Sequence, residues 1–234
     1  MTRSARTLLA ALAVTIAALV FGTDYAQASG GNYIFDGGTP AEQQQVRLAL
    51  AASSFNWNAV PAQITITIEP NVISQSVQGH IWLDSNLLDA GQFSWGTVQN
   101  EYAHQVDFYL LNDQQRAQLT SALGAVAWCY GDQPGLTLAQ AGCERFASTL
   151  AVAYWPTPDN CIETADDVAQ IAPAAFRALL STMIGAAATP TQPIAANALT
   201  TAPHTPARII ASAKTTRLNG VRGSTKARAV ASAR

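Results

Sequence analysis

Residues 98–109 read VQNEYAHQVDFY, and within them Glu101 and His104 set a carboxylate and an imidazole three residues apart. On a helix, positions 100 and 104 lie one turn apart and project to the same side, with residue 101 beside them. With His at position 100, two imidazoles would grip a divalent metal and Glu101 would take a proton from a metal-bound water. The chain carries Asn100 there, and a neutral amide oxygen is a poor zinc donor beside an imidazole nitrogen. Asp107, three residues past His104, is placed either to orient the imidazole from behind or to cap a polar face. Taken alone, the short motif favours an ordinary surface pair of Glu101 and His104 on a polar helix.

The surrounding sequence shifts that balance. Zinc needs a further protein ligand, usually from a separate element. The stretch GCERFASTLAVAYW supplies Glu144, at the start of a helix and on the stripe 144, 148, 151/152, 155. Upstream of the motif, GHIWLD (residues 79–84) reads as a strand, and as an edge strand it would pair with an extended peptide laid across the site. His80 within it is either a substitute metal ligand or a plain exposed or hydrogen-bonded strand residue. Trp82, Trp95, Trp128 and Trp155 read as core rather than cleft.

With these residues in view, the chain resembles the gluzincin metallopeptidases, which carry H-E-x-x-H on one helix and a Glu ligand on a later one. It is most similar to secreted, actinobacterial-type proteins with the run W-x-x-V-Q-H-E-Y-A-H-Q-V-D-F followed by an E-R-F-A-S helix. The likeness spans roughly Asn32 to Trp155. It implies a zincin-like α+β fold, zinc as cofactor, His104 and Glu144 as metal ligands and Glu101 as general base. Asn100 stands at the first ligand position as a degenerate ligand, N-E-x-x-H for H-E-x-x-H, which undermines both zinc binding and catalysis. The expected function is therefore that of a metallopeptidase-like protein, ancestrally a peptide-bond hydrolase and catalytically impaired, that keeps a cleft for peptide or protein. The competing expectations are an active zinc peptidase with an unusual ligand set, and a non-enzymatic cell-envelope protein working through a basic tail.

The elements that must position these groups can be read from patterning. Thr39-Pro40-Ala41-Glu42 opens a helix that runs to about Ser54, with Thr39 and Glu42 spaced as a capping box. Ile64 to Ile68 alternates strictly, as a strand with one buried face does. Helices are expected from about Ser94 to Leu111, over 114–123 with Asp113 as N-cap, over 144–154, and over 166–184. Helix, strand, strand and then helices alone argues α+β, with a small mixed or antiparallel sheet and a mostly helical C-terminal half.

At the ends of the chain, Arg3 and Arg6, the apolar run Leu8 to Phe21 and Ala26-Gln27-Ala28 form a secretory signal peptide over residues 1–28. The chain is then expected to be secreted or held at the cell envelope, outside the reducing cytosol. Cys129, Cys143 and Cys161 can form one disulfide and leave one thiol. Cys129 with Cys143 would clamp the loop ahead of a helix, and the other two pairings stay open. Residues 29–185 read as the metallopeptidase-like domain, with four basic and 14 acidic residues, a formal balance of −10. Such an acidic surface leans towards basic peptides. Residues 186–234 are rich in Ala, Thr and Pro, carry seven Lys and Arg, and read as a disordered basic tail. The tail suits an anionic cell-envelope polymer, and with no aromatic residues among its charges it predicts no single-stranded nucleic-acid partner.

Overall fold

The computed structural model describes residues 30–133 and 135–190. The signal peptide expected over residues 1–28 lies outside them, as does the basic tail from residue 191 onward. Among the described residues no helix is long and apolar enough to cross a membrane.

The fold is α+β. Strand β1 (Tyr33–Gly37) leads into helix α1 (Pro40–Ala52), and β2 (Ile64–Glu69) returns parallel to β1. Strand β3 (Gln75–Val77) then turns back into β4 (His80–Asp84), which lies parallel to β2 and antiparallel to β3. The sheet order is β1-β2-β4-β3, so the sheet is mixed. From there the described chain is helical: α2 (Ser85–Leu88), α3 (Trp95–Leu110), α4 (Asp113–Ala122), α5 (Gly142–Tyr154) and α6 (Pro173–Ile184), with short 3-10 turns between them.

Local chemistry explains most of these boundaries. Thr39 caps α1 as expected: its side chain accepts from the Glu42 N–H, and the Glu42 carboxylate accepts from the Thr39 N–H at 2.5 Å. Alternation in β2 sends Ile64, Ile66 and Ile68 into the core, where Ile81 and Leu83 of β4 join them. Val46 and Leu50 of α1 and Val98, Tyr102 and Val106 of α3 belong to the same cluster.

Several expectations are corrected. β1 and β3 were not foreseen, because one is five residues flanked by glycines and the other only three residues long. GHIWLD is not the edge strand: β4 lies between β2 and β3, and β3 is the edge. The N-cap of α4 is Asn112, which makes a capping box with Gln115, and Asp113 is the first helical residue. The last helix begins at Pro173 rather than at residue 166, because proline presets the backbone of a first turn and has no N–H to continue one. Trp82 is stacked on His80 on the sheet face away from Ile81 and Leu83, rather than in the core. Packing also continues past residue 185: Ala188 is fully buried and its carbonyl accepts the Tyr154 hydroxyl at 2.6 Å.

Candidate functional site

Helix α3 packs against both α1 and α5. Six of its polar side chains are nonetheless buried: Gln99, Asn100, Glu101, His104, Gln105 and Asp107. Buried polar groups are usually partnered, and each of these residues has at least one partner, although Gln99 Oε1 is buried without one. Gln99 donates to the Ala49 carbonyl of α1 at 2.7 Å. Gln105 holds the β3–β4 turn, donating to the Val77 carbonyl and accepting from the Gly79 N–H, both at 2.8 Å. Those two glutamines are scaffold. The remaining four form the candidate site or its support, so Glu101 and His104 are not a surface pair.

His104 Nε2 lies 3.6 Å from Glu144 Oε2, across 40 residues of sequence. Glu144 reaches it from the first turn of α5. The start of that helix is fixed three ways. The Gly142 and Cys143 N–H groups donate to the carbonyls of Ala127 and Trp128. The Cys129–Cys143 disulfide closes beside them, which settles the pairing and leaves Cys161 free. Gly142 permits the close approach, because a Cβ there would lie 2.8 Å from the Trp128 ring. The same clamp brings Tyr130 near enough to Glu144 for its hydroxyl to feel that charge. Partial burial and the charges of Glu144 and Asp167 push that phenol up to about 12.

Asn100 faces α5 as well. Its amide Nδ2 donates to Ser148 Oγ at 2.9 Å, and Ser148 Oγ donates to Asp167 Oδ2 at 2.5 Å. All three residues are buried. The direction of the chain is forced, because the hydroxyl has one proton and the carboxylate takes it. Ser148 must then accept, so Asn100 must present its NH2 group, and its carbonyl oxygen stays on the side away from Ser148.

Glu101 meets the edge strand. The Ser76 hydroxyl sits 2.9 Å from Glu101 Oε2 and 2.8 Å from the Glu101 carbonyl oxygen. Burial raises the Glu101 carboxyl above its ordinary range and Glu144 adds to this, against the opposing pull of His104 and Ser76. For His104, burial works against the imidazolium, but the hydrogen bond and charge of Glu144, with Glu101 and Asp107, outweigh it and raise its pKa.

A group whose folded pKa exceeds its unfolded value contributes stability below the unfolded value and loses it as pH rises through the folded one. Ionised Glu101 thus destabilises the fold near neutrality. Glu101→Gln is expected to raise Tm at about pH 7, with the gain shrinking as pH falls through the raised folded value and vanishing below the usual glutamate range. Calorimetric melts across that range test this, and an unchanged Tm near neutrality would contradict it.

Two expected roles move. Asp107 does not hold the imidazole: its Oδ1 accepts from Arg116 Nε at 2.8 Å and its Oδ2 from Trp128 Nε1 at 3.2 Å. Burial raises its carboxyl, and Arg116 and Trp128 only partly offset this. It ties α3 to α4 and to the clamped turn. His80 is no substitute ligand. Its Nε2 pairs with Thr67 Oγ1 at 2.8 Å and its ring stacks on Trp82 at 3.8 Å, on the sheet face opposite Ile81 and Leu83.

The donor set can be tested against zinc. Two ligands on a tetrahedral zinc stand about 3.4 Å apart for bonds near 2.1 Å, and His104 and Glu144 match that edge at 3.6 Å. A good third donor is lacking, since Asn100 turns its amide nitrogen to Ser148 and leaves only a neutral carbonyl oxygen, a weak zinc ligand. Among the described residues no three His, Cys, Asp or Glu side chains gather as a metal set. As it stands the site does not fit a zinc centre.

Ser76, Tyr130, Ser148 and Asp167 were not foreseen as parts of the site. Only Ser148 left a signal, one turn beyond Glu144 on the same helical stripe. Comparison with protein-family models, with curated proteins and with solved structures returns no match.

Proposed function

We propose that the chain is a secreted, metallopeptidase-like protein of gluzincin descent that binds extended peptide without hydrolysing it. The carrying observation is the meeting of His104 and Glu144 at 3.6 Å from two helices, with Glu101 between the motif helix and the edge strand. In this reading the sheet, the α3 helix and the α5 helix form a zincin-like frame. Glu101 is the former general base, His104 and Glu144 are the former ligands, and Asn100 is the lost one. Without a third donor no metal-activated water is generated, and catalysis is impaired at that step.

What remains is a binding frame. β3 offers an unpaired edge beside Glu101, and an extended peptide would add to the sheet there. Hydrogen exchange on the full chain with an unstructured peptide tests the reading. Saturable binding of intact peptide that slows exchange at residues 75–77 is expected. Binding that leaves those amides unprotected would place the ligand elsewhere. Hydrolysis that Glu101→Gln abolishes would make the chain an active peptidase instead.

A further inference from the structure

We propose that the site receives a primary ammonium group, a peptide N-terminus or a lysine side chain, where a gluzincin holds its metal. This rests on the peptide-binding reading above and names its ligand chemistry.

The first observation is the imbalance of acceptors over donors. Glu101, Glu144 and, through Ser148, Asp167 contribute three carboxylates, and among the described residues His104 is the one basic side chain set among them. Arg116 is turned to Asp107 and Asp113, and so does not serve the site.

The second observation is independent of charge. Asn100 is 8% exposed, and the Ser148–Asp167 chain fixes which end of its amide faces α5. The hydrogen bond that fixes Asn100 uses its amide nitrogen and leaves the carbonyl oxygen as an acceptor, on a residue one helical turn before His104. An imidazole nitrogen at this position would favour a metal, whereas an amide oxygen favours an N–H donor. An ammonium group brings three N–H donors and a compact positive charge. It would satisfy the Asn100 carbonyl and the free oxygens of Glu101 and Glu144 together, and would supply the counter-charge that buried carboxylates need. The replacement of His by Asn thus exchanges one cation for another.

The test uses calorimetric titration of the full chain with tetra-alanine amide bearing a free N-terminus, its N-acetylated form, and acetylated tetrapeptides containing one lysine or one norleucine. Probes with a primary ammonium are expected to bind at least tenfold tighter than their uncharged counterparts, and the lysine and free-terminus arms identify the source. Glu144→Gln and Asn100→Leu, each checked by thermal melt, are expected to lose at least tenfold in affinity for the charged probes. Equal affinity for free and capped peptides would overturn the ammonium site and leave peptide binding intact. Failure of every probe to bind would overturn both. Full affinity in folded Glu144→Gln would also overturn the assignment, by placing the cation away from this carboxylate.

Discussion

Asn100→His is expected to turn the chain into a stoichiometric zinc binder. The side chains overlay so that imidazole Nδ1 falls near the present amide Nδ2, which lies 2.9 Å from Ser148 Oγ. The hydroxyl can therefore accept Nδ1–H while still donating to Asp167. That relay fixes the ring and its tautomer and leaves Nε2 free for the metal, as supporting partners of ligating histidines do. His104 and Glu144 already stand at the separation of two zinc ligands. Metal analysis after desalting should give one zinc per chain for the variant and a far smaller amount for the parent. Adding Ser148→Ala to the variant should weaken zinc binding by about 10–100-fold, the usual cost of losing such a partner. A folded Asn100→His protein that retains no zinc would mean that the frame lacks more than one ligand.

Phe146→Ala is expected to produce the largest loss of stability. Phe146 is fully buried on α5, two residues beyond Glu144, with Trp128 at 6.0 Å and Phe176 of α6 at 6.1 Å. It therefore joins the clamped turn, the site helix and the last helix in one contact. Truncating a buried phenylalanine costs about 3–5 kcal/mol, from lost burial and the cavity left behind. For a domain of this size that lowers Tm by roughly 6–20 °C. Thermal melts followed by circular dichroism check the value. A fall of only a degree or two would mean that α6 and the turn close over the gap. This loss is opposite in sign to the gain expected for Glu101→Gln, which separates a residue that holds the fold from one that strains it.

Much of the frame was legible because it rests on local rules. Thr39 and Glu42 announced the start of α1, and Ile64, Ile66 and Ile68 announced β2 by alternation alone. The motif helix and the α5 helix also followed from spacing and composition, whereas His104 and Glu144 were linked only through the family resemblance. The errors came where non-local pairing decides the outcome. β3 is three residues long and exists because β4 offers it hydrogen bonds, so no periodicity betrays it, and its presence moved GHIWLD from edge to interior. Asp107 sat at a suggestive spacing, but Arg116 and Trp128 claimed it from another helix and a loop.

The sequence by itself determined the residue types at the site, with Asn100 one helical turn before His104, and the α+β order of elements, because these are properties of residue identity and short-range pattern. Only the tertiary structure decided that Asn100 is tied down by Ser148 and Asp167, that Ser76 touches Glu101, and that Tyr130 lies within the influence of the Glu144 charge. Those partners come from four separate segments. Hydrogen-bond direction and burial depend on how the segments pack, and one residue's identity does not encode which distant group will lie within about 3 Å of it.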